Sequence, residues 1–250
     1  MEKMKRYHWI RITVFAAVMV IAFSSLLASG CFSSAAAKQP DTLPPDVYQV
    51  PPDVNQILLV TGNNFSFFKS IKVYAMERTG SGWSRAMGPF DAAIGRNGFA
   101  PYGEKREGDG QTPSGLYRLG TAFGYAESAA TKMPYRQSLP DDVWIDDPDA
   151  PDYNRLVRQS QTRASSYEKM KRGDNLYQYG MVIEYNTDPV IKGHGSAIFL
   201  HIWTGPKSTT AGCVAMSEDH LLKILNWLDP AAKPAILINP EPSLKRKILP

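Results

Sequence analysis

A histidine and a cysteine lie twelve residues apart in a segment that could carry out thiol chemistry. His201 falls near the end of the apolar run Ala197–Trp203, and Cys213 follows a breaker and a loop that ends in Gly212. A thiol is a strong nucleophile only after it loses its proton, and a nearby imidazole is the usual base. The spacing predicts Cys213 as nucleophile and His201 as base. A small buried cysteine near a core histidine is the alternative.

The same loop offers donors for a developing negative charge. Acyl transfer passes through a tetrahedral intermediate whose oxyanion needs N–H groups aimed at it. Since glycine permits a close backbone approach, we expect the amides of Gly212 and Cys213 to be the oxyanion donors. The pattern does not identify the group that orients the imidazole, and both a backbone carbonyl and a side chain would fit.

The N-terminal segment predicts export. Residues 1–11 carry four cationic side chains, residues 12–28 are almost wholly apolar, and the small residues Ser29 and Gly30 precede Cys31. We interpret residues 1–31 as a signal peptide with a lipoprotein cleavage site. Lipidated Cys31 would then anchor the chain at the outer face of a membrane. An uncleaved membrane-spanning helix, and ordinary cleavage near residues 35–37, are the alternatives.

Cysteine usage supports a chemical role for the thiol of Cys213. The chain has two cysteines, and Cys31 is the one expected to be modified or removed. Cys213 then has no disulfide partner in an oxidising compartment, where an unpaired thiol is a liability unless it has chemical work.

The charge balance does not indicate a nucleic-acid partner. The formal net charge is +4, but residues 1–31 contain four basic side chains and one acidic side chain. The remainder therefore carries a net charge of only +1. It has no basic patch, so binding to nucleic acid is not predicted.

Short β-type runs separated by turn clusters predict one mainly β domain over residues 57–240, a sandwich or an open barrel. Proline-rich residues 32–56 are interpreted as a linker, and residues 241–250 as a C-terminal tail. The strand candidates are Ile57–Thr61, Ile71–Arg78, Ser84–Met87, Leu116–Gly120, Val143–Asp146, Tyr177–Asn186, Ala197–Trp203 and Ala235–Asn239.

One helix is predicted directly after the Cys213 loop. Ser217 can cap it, an apolar stripe runs from Leu221 to Leu228, and Pro230 ends it. We expect this helix to pack over the sheet. A second, weaker helix is predicted around Asn154–Gln159, and the proline-rich stretch Ala126–Asp152 reads as an insertion that could wall a cleft.

A second notable stretch is Lys105–Gly115, in which glycines and a proline alternate with charged residues. Its composition is typical of consecutive tight turns, and its charges predict a surface position. A turn between strands is the structural interpretation, and contact with substrate is the functional one.

Four segments together resemble the L,D-transpeptidase (YkuD-type) catalytic domain of bacterial cell-wall enzymes. The resemblance covers most of residues 57–240. It rests on the turn Glu107–Gly115, the strand Ser196–His201, the segment Thr210–Met216, and the end of the domain from Leu228 to Asn239.

The resemblance implies a mostly β sandwich in which a cysteine attacks a peptide carbonyl of the peptidoglycan stem. Cys213 matches that nucleophile and His201 the base. The resulting thioester would pass to an amine of a neighbouring stem, which gives a 3-3 cross-link, or to water, which makes the enzyme a carboxypeptidase. D-alanine is the implied leaving group, and carbapenems would acylate the same thiol. No cofactor and no metal is implied.

Two positions depart from the better-known family motif. Ala211 stands where that motif has a histidine, and Ala215 where it has a polar residue; the gap between His201 and Cys213 is also shorter. We therefore interpret the chain as a divergent member, with the balance between cross-linking, trimming and amino-acid exchange left open.

Two other classes of function compete with acyl transfer. The side chains of His194, His201, Cys213 and His220 include zinc-ligand types, although their spacings match no compact metal motif. A catalytically inactive lipoprotein that binds the cell wall would also have nearly the same sequence.

Overall fold

The computed structural model describes residues 49–62, 70–80 and 82–240, together with Lys245 and Ile248. All of them belong to one compact unit, Thr42–Pro250. The predicted signal segment, including Cys31, lies outside the described residues. In the part that is described, no helix has both the length and the apolar character needed to span a bilayer.

The described residues form fourteen strands and one α-helix, so the mainly β prediction is confirmed. Short 3₁₀ turns occupy Gln159–Gln161 and Pro230–Ala232. The elements are β1 (Gln56–Gly62), β2 (Ile71–Thr79), β3 (Gly82–Ala93), β4 (Phe99–Ala100), β5 (Thr112–Pro113), β6 (Gly115–Gly124), β7 (Tyr135–Gln137), β8 (Asp142–Ile145), β9 (Leu156–Arg158), β10 (Tyr167–Lys169), β11 (Tyr179–Ile183), β12 (Phe199–Ile202), β13 (Val214–Met216), α1 (Glu218–Trp227) and β14 (Ala235–Ile238).

The main sheet closes on itself. Its nine strands run in the order β11-β12-β13-β3-β2-β1-β14-β6-β7, and β11 pairs in addition with β6. Closure depends on the length of β6, whose first part pairs with β14 and whose second part pairs with β11. Eight strands therefore form a ring, and β7 extends it beyond β6. The strands β10-β8-β9 form a separate small sheet, and β4-β5 another.

The strands β12 and β13 bring the predicted site residues together. They are parallel neighbours, with His201 opposite Ala215 and Leu200 opposite Val214. Because side chains alternate across a strand, Leu200 and Val214 point into the main core. His201 and the residue before β13, Cys213, therefore point to the other face.

The predicted helix after the Cys213 loop is confirmed. The Ser217 hydroxyl accepts a hydrogen bond from the His220 N–H at 3.4 Å and so caps α1. Leu221, Ile224 and Leu225 are buried, as the apolar stripe predicts. The helix packs against β11 and β12, and it thereby covers the side of the sheet opposite to His201.

The helix predicted around Asn154–Gln159 is wrong. Leu156–Arg158 form β9, which pairs with β8 through Val157 and Val143. Asn154 has a left-handed backbone with φ 55°, and a helix does not pass through such a residue. Its side chain accepts from the Trp144 indole at 2.7 Å, so tertiary contacts override the local helical pattern.

The packed domain extends past both predicted boundaries. Val54, near the end of the predicted linker, is fully buried, and its carbonyl accepts from the Arg78 guanidinium at 2.8 Å. Ile248, in the predicted tail, is buried in the same apolar cluster as Val54 and Ile57. Composition alone does not indicate this, because the buried residues Val54 and Ile248 lie within segments whose other residues are typical of a linker and a tail.

Candidate active site

The thiol of Cys213 is held by backbone groups of the neighbouring strand. The residue is only 6% exposed. The Phe199 N–H donates to Sγ at 3.4 Å, and the thiol donates to the Ala197 carbonyl at 3.3 Å. Ala197 has a φ of 52°, a conformation that residues other than glycine rarely adopt. This turn in the backbone places the Ala197 carbonyl against the sulfur.

His201 lines the same pocket as Cys213, a cavity of about 160 Å³. Its Nδ1 lies 2.7 Å from the Ile202 carbonyl oxygen. Since a carbonyl only accepts, the neutral ring carries its proton on Nδ1, and Nε2 keeps the lone pair that a base needs. The Ile202 carbonyl thus supplies the orienting contact that the sequence left open. The structure brings both predicted residues to one cavity; their roles as nucleophile and base stay predictions.

Burial keeps both groups neutral. It raises the pKa of the Cys213 thiol to about 12, and the nearby Glu168 carboxyl adds to that rise. Burial also lowers the pKa of His201 to about 4, against the opposing effect of the carbonyls of Ile202 and Leu176. Near neutral pH the site therefore holds a thiol and an uncharged imidazole. This combination suits general-base activation during the reaction rather than a preformed thiolate.

The predicted oxyanion donors sit in a tightly bonded loop. The Gly212 N–H donates to Thr210 Oγ1 at 3.1 Å, and the Thr210 hydroxyl donates to the Cys213 carbonyl at 2.7 Å. A Cβ at Gly212 would lie 3.0 Å from the Gln111 carbonyl oxygen, which explains the glycine. Because the Gly212 amide already has an acceptor, its use as an oxyanion donor would require it to share or leave Thr210. The assignment of these amides stays a prediction.

The Lys105–Gly115 stretch braces this loop. The Thr112 hydroxyl donates to the Cys213 carbonyl at 3.3 Å. Lys105 is only 3% exposed, and its ammonium donates to Asp109 at 2.6 Å and to the Arg106 carbonyl at 2.7 Å. The expectation that the charges keep this stretch at the surface is therefore wrong for Lys105, because its charge is paired and hydrogen-bonded within the turn.

A second pocket also borders Cys213. We call the cavity that contains His201 the histidine pocket. The second cavity, of about 190 Å³, is the carboxylate pocket, because Glu107, Asp146 and Glu168 line it. Cys213 and Glu168 line both. Cys213 thus borders two spaces of different chemistry.

Sequence reasoning missed Glu168, Tyr177 and Arg172, which lie around the place where the two pockets meet. The Tyr177 hydroxyl donates to the Glu168 carboxylate, and the Tyr177 ring meets the His201 ring edge-on at 5.2 Å. Arg172 lies over the Tyr177 ring at 5.1 Å and pairs with Asp174 at 2.9 Å. No spacing pattern links these positions to Cys213, because the fold alone brings β10 and the following loop to the sulfur.

The remaining candidates lie away from the thiol. His220 stacks on Phe90 with ring centroids 4.3 Å apart. Arg136 and Arg158 both pair with buried Asp142. Within the described residues, no group of three histidine, cysteine or carboxylate side chains is placed to hold a metal ion.

Comparison with known protein families identifies the catalytic domain. The family model of the L,D-transpeptidase catalytic domain matches residues 73–237, a span from β2 to β14 that includes His201, Cys213 and both pockets' lining. Comparison with curated proteins and with solved structures gave no significant match.

Proposed function

Since the chain belongs to the L,D-transpeptidase catalytic domain family, we propose that it is a cysteine-dependent L,D-transpeptidase of peptidoglycan stem peptides. It works through a thioester on Cys213. The product is a 3-3 cross-link when a neighbouring stem accepts the acyl group, or an exchanged or trimmed stem when a free amino acid or water accepts it. The observation that carries the proposal is the shared cavity of His201 and Cys213 beneath one face of β12 and β13.

In the acylation step, the donor peptide binds in the histidine pocket. The thiol turns from the Ala197 carbonyl, Nε2 of His201 takes its proton, and sulfur attacks the peptide carbonyl. The oxyanion is held by backbone N–H groups of the loop that carries Cys213. The bond from carbon to nitrogen then breaks, and the His201 imidazolium gives its proton to the departing D-alanine amine.

Two observations support this assignment of roles. The imidazole has its proton fixed on Nδ1 by the Ile202 carbonyl, so Nε2 is ready to accept another. The thiol stays protonated at rest, because burial raises the pKa of Cys213 to about 12, so an exported enzyme would be protected from oxidation between turnovers.

The test is acylation of the intact protein by a carbapenem. We expect one adduct on the wild-type chain by mass spectrometry, none on Cys213→Ala, and a rate at least about 100-fold lower on His201→Gln. Circular dichroism and thermal melting of each variant control for folding. An unmodified wild-type protein would exclude the proposal and favour an inactive wall-binding lipoprotein. A folded Cys213→Ala protein that still releases D-alanine from a tetrapeptide would exclude Cys213 as the nucleophile.

We also propose that the domain is exported and anchored by lipid at the outer face of the membrane, toward the cell wall. The support is the sequence pattern of residues 1–31. Metabolic labelling with a palmitate analogue should mark the full chain and not its Cys31→Ser variant. Equal labelling of both would contradict the anchor.

A further inference from the structure

The junction of the two pockets contains an acid–base group that the acylation step does not use. Glu168 lies on β10 and lines both the histidine pocket and the carboxylate pocket, as Cys213 does. The Tyr177 hydroxyl donates to its carboxylate. The Tyr177 ring also packs edge-on against His201 at 5.2 Å. Tyr177 therefore contacts both the carboxyl of Glu168 and the imidazole of His201.

The carboxylate pocket is suited to a group that carries positive charge and N–H donors. Lys105 lines it, but its ammonium is neutralised by Asp109 at 2.6 Å. Glu107 accepts from the Tyr153 and Ser196 hydroxyls at 2.5 and 2.7 Å, neither of which cancels its charge. Among the described residues, Oδ1 of Asp146 is buried and has no hydrogen-bond partner. The other cation that lines the pocket is Arg96. The negative charges of the lining therefore outnumber the positive ones.

We propose that Glu168 is the base that takes a proton from the amine acceptor. This inference rests on the proposed thioester. An acceptor ammonium enters the carboxylate pocket and gives a proton to Glu168, while His201 serves the donor peptide in the histidine pocket. The two halves of the transfer would thus use two different bases beside one sulfur.

The proton balance of the acceptor half is complete. The ammonium loses one proton to the Glu168 carboxylate, and the freed nitrogen lone pair attacks the thioester carbonyl. The new carbon–nitrogen bond forms, the carbon–sulfur bond breaks, and the departing thiolate takes the second proton from the attacking nitrogen. Cys213 is restored as a thiol, and Glu168 returns its proton to solvent.

The surroundings of Glu168 make it a better base than an ordinary carboxylate. Burial raises the pKa of Glu168, and the negative charges of Asp146 and Glu107 act in the same direction. The Tyr177 hydroxyl and the Arg172 guanidinium oppose the rise. A carboxyl with a raised pKa accepts a proton from an ammonium more readily, which is the property that an amine acceptor needs.

The test separates the two half-reactions. In separate reactions, the purified Glu168→Gln enzyme is acylated by a carbapenem, and by a soluble tetrapeptide that ends in D-alanine with D-methionine as the amine. We expect the carbapenem adduct still to form, transfer to D-methionine to be reduced about 100-fold, and hydrolysis of the thioester to continue. Hydroxylamine, which is largely unprotonated at neutral pH, should release the acyl group from Glu168→Gln at the wild-type rate.

Two further variants control the result. Glu184→Gln makes the same change in a separate cavity lined by Phe123 and Trp144, and it should leave both half-reactions unchanged. Tyr177→Phe keeps the Glu168 carboxyl but removes the hydroxyl that donates to it, so the pKa of Glu168 rises. The pH below which transfer to D-methionine declines should therefore be higher than in the wild type.

The inference fails if Glu168→Gln transfers to D-methionine normally, if hydroxylamine does not restore release, or if acylation is lost together with transfer. In each of these outcomes a carbapenem adduct on the wild-type enzyme would still uphold the proposed function. Absence of that adduct from the wild type would overturn both.

Discussion

At the scale of the residue, the site combines two groups that burial keeps uncharged. The Cys213 thiol points to the Ala197 carbonyl, and the His201 ring is tied to the Ile202 carbonyl. Neither group is reactive alone at neutral pH, since the thiolate is the nucleophile. In the proposed mechanism, activation therefore depends on a substrate that draws the thiol away from Ala197 and toward the imidazole.

The buried imidazole should make the protein sensitive to acid. Folding lowers the pKa of His201 from 6.5 to about 4. Between these values the unfolded chain binds a proton that the folded chain does not, so the free energy of unfolding falls as pH drops from 6.5 to 4. Over that window the loss is on the order of 3 kcal/mol. Urea denaturation at pH 7 and pH 4 should show it in the wild type and not in His201→Gln.

His194→Gln is the matched control, because His194 lies in a loop and is not fully buried. This variant should keep the wild-type dependence on pH. If His201→Gln loses as much stability between pH 7 and pH 4 as the wild type does, the ring is not neutral in the folded protein.

At the scale of the element, the sulfur is positioned by β12 and by the loop before β13. Sequence could predict this part, because His201 and Cys213 lie in one continuous segment whose apolar run and glycine turn are visible locally. Glu168 could not be predicted. It lies on β10, a strand of three residues that depends on pairing with β8. Such a strand is too short for a periodic pattern, so its place beside the sulfur is decided by tertiary packing.

A side chain at position 212 should strain the loop before β13. A Cβ there would lie 3.0 Å from the Gln111 carbonyl oxygen and 3.2 Å from the Ile198 side chain. Gly212→Ala must push the Cys213 loop away from the Lys105–Gly115 turn. We expect carbapenem acylation to fall at least about tenfold and stability to fall by about 1 to 3 kcal/mol, measured by intact mass and by urea denaturation.

Gly80→Ala is the control, since a Cβ at Gly80, in the hairpin between β2 and β3, would meet nothing within 4 Å. It should acylate at the wild-type rate. Equal rates for Gly212→Ala and Gly80→Ala would show that the contact between the two loops does not position the thiol.

At the scale of the whole molecule, one long strand determines the architecture. The class of fold could be predicted from turn spacing, but closure of the sheet could not. Only the structure shows that β6 pairs with β14 along its first part and with β11 along its second. The ends of the domain could not be predicted either. Composition predicts a linker and a tail, whereas the structure shows Val54 and Ile248 buried in one cluster with Ile57.

Ile248, which docks near the end of the chain, should therefore stabilise the domain without taking part in chemistry. Ile248 is 1% exposed, and truncating a buried isoleucine to alanine costs about 2 to 5 kcal/mol. Ile191→Ala makes the same change at a side chain that is 50% exposed and should cost less than about 0.5 kcal/mol. Urea denaturation measures both, and carbapenem acylation should stay at the wild-type rate in each folded variant. Similar stabilities of the two variants would mean that the residues after Pro240 do not pack against β1, and the domain would then end where the sequence predicted.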